Sequence, residues 1–193
     1  MFRIALVIAL LLPVSATFAQ DAAQQPADKI TWLTLDQAMV QWQQDMKAYQ
    51  DEPDEKKKVP PKKFFIDVYT SWCGWCKRMD ATIFADPVIA KVMNEHFYAI
   101  KLDAEMKTPV VWDGHTFVNP NPDGKRSTHQ FAASLLDNRL SYPSYALLDE
   151  NAKRIALYKG FKQANDFLGI MLFFGKNQYL AYRDYVEKYA PKQ

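Results

Sequence analysis

A chain of 193 residues with 49% hydrophobic and 24% charged side chains has the size and composition of one globular domain with appendages. That balance excludes a wholly disordered chain, and a net charge of +2 with no concentrated block provides no field for nucleic acid. The smallest count is the most informative: two cysteines, three positions apart.

Residues 1–19 fit a cleavable secretory signal, with Arg3 near the start, an uncharged apolar run over 4–12, and small residues Thr17 and Ala19 before a cut at Gln20. The run is too short to cross a bilayer, and no cysteine lies near the cut to carry a lipid. Cleavage would leave 174 residues at net charge +1, placed in the periplasm or otherwise exported, with no stable membrane insertion. Residues 20–30 are polar and read as a flexible leader, followed by a single domain over 31–190.

Thr34 and Gln37 form a capping box that opens an amphipathic helix over 35–49. Residues 51–63 carry five lysines and three prolines, and read as a solvated connection without interleaved aromatics. A buried strand over 64–70 follows, then a helix opening just after Trp72-Cys73 and carrying Cys76, Met79, Ile83 and Phe84. Asp86-Pro87 starts another helix, and 97–103 is a second strand. Asp113-Gly114 marks a hairpin within 110–118, and 119–124 is a turn cluster. A helix is expected over 128–137. Strands over 144–148 and 154–158 flank the Asp149-Glu150-Asn151 turn. From Gln163 to about Lys188 the pattern is helical with a break near Gly175, and Tyr179, Tyr182, Val186 and Tyr189 form a stripe expected to pack. The class is α/β, with helices covering a central mixed sheet.

Cys73 and Cys76 would make a poor structural staple. A bridge enclosing two residues constrains the unfolded chain very little, and a domain of this size builds a core without one. The pair suits opening and closing better than holding.

The run Phe65-Ile66-Asp67-Val68-Tyr69-Thr70-Ser71-Trp72-Cys73-Gly74-Trp75-Cys76-Lys77 resembles the active-site strand, turn and helix start of the thioredoxin-like family. Tyr142-Pro143-Ser144 is similar to that family's cis-proline segment, and Gly160 matches its later glycine. The likeness covers roughly residues 64–175, and the wording around the cysteines is nearest to exported bacterial thioredoxin-related proteins. The resemblance implies a thioredoxin-like fold with an N-terminal helix, an insert over about 104–127 before Pro143, and a helical C-terminal extension. It also implies thiol–disulfide exchange on protein or peptide substrates, with no organic cofactor and with electrons supplied by an upstream donor.

The chemistry can be built from the residues themselves. A thiolate attacks disulfides and a thiol essentially does not, so Cys73 at a helix N-terminus is the expected attacker. Cys76, one turn on, is the resolving thiol and must lose a proton, for which Asp67 is the candidate acceptor. Trp72, Gly74, Trp75, Tyr142 and Pro143 are the expected substrate contacts, with Trp72 serving mainly in packing and Tyr142 offering its backbone to an extended segment. Counting back by alternation from Asp103 sets Ala99, not a lysine, opposite Asp67, so the acid is expected to lack a cationic neighbour. The insert is expected at the rim around the cysteines. Direction is open between reductase, which the insert favours, isomerase and oxidant. Zinc binding needs four ligands and only scattered His96, His115 and His129 remain, so no metal is expected. A redox-inactive binding or chaperone module is the remaining rival.

Overall fold

The structure, a computed structural model, describes residues 28–189. The predicted signal segment over 1–19 lies outside the described residues, as does the leader up to residue 27. The last leader residue, Ile30, is buried in the core rather than free, and the neighbouring Lys29 carbonyl accepts from Asn94 Nδ2 at 2.8 Å.

Five strands make the central sheet. They are β1 (Trp32–Leu33), β2 (Lys63–Tyr69), β3 (Phe97–Asp103), β6 (Ser144–Leu148) and β7 (Arg154–Lys159), in the order β1-β3-β2-β6-β7. The first three run parallel, while β6 and β7 are each antiparallel to their neighbour. Strand β1 was not foreseen, since a two-residue strand carries no periodicity. A second sheet is the hairpin of β4 (Val110–Trp112) and β5 (His115–Phe117). At its turn Asp113 has φ 49° and Gly114 φ 74°, and two successive left-handed residues are what a two-residue hairpin of this hand requires.

Helix α1 (Leu35–Asp51) opens on the predicted capping box, with Gln37 N–H on Thr34 Oγ1 and Thr34 N–H on Gln37 Oε1. Helix α2 (Gly74–Ala81) starts at Cys73 and ends sooner than expected. Thr82 closes it by donating its N–H back to the Arg78 and Met79 carbonyls, and Ile83 and Phe84 reach the core from the following turn. Asp86 caps α3 (Pro87–His96) through the Val88 and Ile89 N–H groups. Helix α4 (Gln130–Leu135) is shorter than the pattern implied, with His129 as its cap. Helices α5 (Ala164–Gly175) and α6 (Gln178–Tyr189) break where Gly175 predicted. In α6 Tyr179 packs on Phe174, but Tyr182 is 62% exposed and Val186 36%, so the tyrosine stripe is largely a solvent face. None of the described helices is long and apolar enough to cross a membrane.

Alternation along β2 divides the core. Phe65 belongs to a cluster with Met79, Phe84, Ile89, Met93, Phe167 and Met171, under α2, α3 and α5. Phe64, Ile66 and Val68 face Ala38, Ile100, Phe131 and Leu136, under α1 and α4. Burying each such side chain is worth about 1.5–3 kcal/mol. The hairpin joins this second face, with Trp112 6.3 Å from the Phe64 ring and 5.4 Å from Phe131. That places β4 and β5 over the sheet face and not at the cysteine rim. Only the ends of the insert stay near the cysteines, as described below.

Candidate functional site

The site lies where β2 ends. Cys73 N–H donates to the Thr70 carbonyl at 3.1 Å, turning the chain so that Cys73 becomes the N-cap of α2. The Cys76 N–H donates to Cys73 Sγ at 3.0 Å, aiming a helix-terminal donor at the sulfur that would carry negative charge. The two Sγ atoms are bonded at 2.04 Å, and both residues are buried, Cys76 more than Cys73. Cys73 therefore stands at the N-terminus of α2 and Cys76 one turn on, joined as a pair.

Asp67 is buried at 1% exposure on the face beneath α2. Its cationic neighbour is present, contrary to the count by alternation. β2 and β3 are aligned end to end, so Asp67 pairs with Lys101, and Lys101 Nζ donates to Asp67 Oδ2 at 2.7 Å. The same ammonium also holds Asp80 of α2 and sits over the Trp32 and Phe84 rings. Burial dominates nonetheless and pushes the Asp67 carboxyl from 3.8 up to about 6, with Lys101 pulling the other way. A buried acid at about 6 is matched to exchanging a proton near neutrality.

Tyr145 was missed by the sequence reading. It pairs with Asp67 across the antiparallel β2–β6 ladder and stacks on Phe65 with ring centroids 5.7 Å apart. Asp67 Oδ1 and Tyr145 Oη are both buried without a hydrogen-bond partner in the described residues. A tyrosine in an apolar strand reads as packing, and only the register between β2 and β6 sets it opposite the acid.

Pro143 follows Tyr142 through a cis peptide bond, as the resemblance implied. Its carbonyl accepts from the Gly160 N–H at 2.8 Å, and Gly160 holds φ 75°, a conformation open to glycine at little cost. The Tyr142 backbone groups have no partner among the described residues. Its ring meets Trp72 edge-on at 5.8 Å, and its hydroxyl lies 3.4 Å from Thr128 Oγ1.

Both tryptophans are exposed, Trp72 at 48% and Trp75 at 56%. Trp72 is thus more than packing. Its Nε1–H donates to Glu105 Oε1 at 3.0 Å, and the Arg126 guanidinium lies 4.9 Å from its ring. These are the two ends of the insert, so the predicted rim is real at Glu105 and Arg126 and absent at the hairpin. Trp75 packs on Phe161, just past β7, and Arg78 covers both rings. Gly74 has no atom within 4 Å of where a Cβ would stand, which leaves open space beside Cys73. Among the described residues no three His, Cys, Asp or Glu side chains are grouped to hold a metal ion.

The chain is similar to several known proteins. A thioredoxin-fold protein from Helicobacter pylori superposes with TM-score 0.50 at 19% identity, covering 70% of this chain and 85% of that one. A structure described as DsbH Oxidoreductase gives TM-score 0.47 at 15% identity over 79% of this chain and 90% of that one. An uncharacterized Caenorhabditis elegans protein is 37% identical over 59 residues, which are 31% of this chain and 8% of that protein, so the match spans under a tenth of its length. The family model described as Thioredox_DsbH, protein of unknown function DUF255, matches residues 18–114, which include β2, both cysteines and β3. With the match covering half of its length, the chain belongs to this thioredoxin-like family.

Proposed function

We propose that the protein is a thiol–disulfide oxidoreductase of protein or peptide substrates. The observation that carries the reading is the Cys73–Cys76 bond at the start of α2, a helix linked through Asp80 and Lys101 to a buried acid whose carboxyl sits at about 6. In the reducing direction the Cys73 thiolate attacks a substrate disulfide, forming a mixed disulfide and releasing one substrate thiolate. Cys76 passes its proton to Asp67 and attacks Cys73 Sγ, which restores the observed bond and releases the second substrate thiolate. Two electrons pass to the substrate, and a dithiol donor must return them to the cysteine pair.

Trp72, Trp75 and the free Tyr142 backbone would hold an extended substrate segment over Cys73, with Pro143 beside them. The dipeptide between the cysteines places no cation beside Cys73, which removes one device of a strong oxidant and favours the reductase direction. The 1–19 signal pattern supports an exported, periplasmic setting.

Cys76→Ser tests the assignment. The variant should accumulate disulfide-linked complexes with substrate proteins through Cys73, released by dithiothreitol, whereas Cys73→Ser should accumulate none. Equal trapping by both variants would overturn the roles given to the two thiols.

A further inference from the structure

Among the described residues, two arginines lie over aromatic rings on either side of Cys73. Arg154 is held by Asp137 and Arg183 by Asp184. Arg78 and Arg126 make no carboxylate contact among the described residues and instead lie over the exposed rings of Trp75 and Trp72. Those are the tryptophans on either side of Cys73. Lys77 and Lys125 adjoin the two arginines in the chain; of the carboxylates close by, Asp80 is held by Lys101, Asp123 by Lys107, Glu105 by the Trp72 indole N–H, and Asp103 takes the Glu105 N–H.

The insert holds Arg126 in place. Asn119, buried at 6% exposure, donates through Nδ2 to the Met106 carbonyl at 3.1 Å and the Ser127 carbonyl at 2.9 Å. Ser127 Oγ donates back to Asn119 Oδ1 at 2.6 Å. The two limbs of the insert are thereby tied beside Trp72. Arg126 itself adopts φ 58°, uncommon for a residue with a side chain.

We propose that the Trp72–Arg126 and Trp75–Arg78 pairs form a substrate-selecting surface for acidic segments, so that the preferred partner presents its cysteine in an extended peptide with Asp or Glu beside it. This rests on the oxidoreductase reading and names its partner class. Indole faces receive the peptide's apolar surface. A guanidinium stacked on a ring keeps its in-plane N–H fork free for a carboxylate. Charge complementarity at such a rim acts mainly on the rate of encounter and weakens with salt.

The test measures one bond exchange. In the reduced Cys76→Ser variant, the Cys73 thiolate attacks the cysteine sulfur of a thiopyridyl-activated peptide, forming a peptide mixed disulfide and expelling thiopyridone, which is followed by absorbance. Two peptides carry aspartate or lysine on both sides of the cysteine, and each rate is divided by that of the same peptide with mercaptoethanol. The normalised ratio should favour the acidic peptide by about fivefold at low salt, in keeping with a few rim charge contacts. Adding Arg126→Glu should bring the ratio to one or below, and adding Lys47→Glu on α1 should leave it unchanged. A ratio near one without Arg126→Glu, or one that this substitution does not lower, overturns the proposal. Failure of Cys73 to react even with uncharged dithiodipyridine would instead overturn the oxidoreductase reading beneath it.

Discussion

Ionised Asp67 destabilises the fold that holds it. Its carboxyl is raised from 3.8 to about 6, chiefly because burial disfavours the charge, so the folded state binds this proton more tightly than the unfolded chain does. Stability from this group is complete below about pH 3.8 and is lost as pH rises through about 6, a difference of about 3 kcal/mol. Asp67→Asn should therefore raise the unfolding free energy of the oxidised protein at pH 7 by up to about 3 kcal/mol, and lose that advantage near pH 4. The same substitution should slow resolution of the mixed disulfide by about tenfold to a hundredfold and remove the rise in its rate around pH 6. Urea titrations at the two pH values and stopped-flow pH profiles read both effects. A variant less stable at pH 7, with an unchanged profile, would contradict the role given to the acid. The residue itself was legible from its place before the cysteines. Its Lys101 partner was not, because counting alternation within one strand says nothing about register between two. Aligned end to end, the predicted strands 64–70 and 97–103 set Ile100 against Asp67, and only the observed start of β2 at Lys63 brings Lys101 opposite the acid.

Secondary elements with strong local codes were read nearly to the residue. The Thr34–Gln37 box, Asp86-Pro87 and Asp113-Gly114 each fix backbone geometry through nearby atoms alone. What local codes do not contain is where an element docks. The 110–117 hairpin was recognised but placed at the rim, whereas Trp112 and Phe117 fold it against Phe64 and Phe131 on the sheet face beneath. Its apolar residues were the available signal, since a solvent-lapped rim has less need of Trp112 than a core does. Trp112→Ala should accordingly cost about 2 kcal/mol, less than for a fully buried aromatic, while Cys73 reacts with dithiodipyridine at the parent rate. Unchanged stability with a changed thiol rate would return the hairpin to the rim. The tyrosine stripe of α6 shows the opposite error, as helical spacing is preserved there although Tyr182 is 62% exposed and Val186 36%.

Across the molecule, the parallel β1-β3-β2 half of the sheet sends its strand ends toward one edge, and the antiparallel β6–β7 pair brings Pro143 and Gly160 alongside. That topology lets residues far apart in sequence, Asp67, Cys73, Arg126 and Tyr142, serve one small surface. The motif around the cysteines made the architecture legible, while the long insert hid the contact of Arg126 with Trp72 because no local pattern links positions 54 apart. Reversible two-electron cycling of Cys73 and Cys76 is tested most directly by equilibrating the protein in glutathione buffers of graded potential and weighing it after thiol alkylation. We predict two mass states, with both cysteines alkylated or neither, interconverting in one transition with a midpoint below about −200 mV. A midpoint near about −120 mV would contradict the reductase direction, and a mass that does not change in any buffer would contradict thiol–disulfide exchange itself.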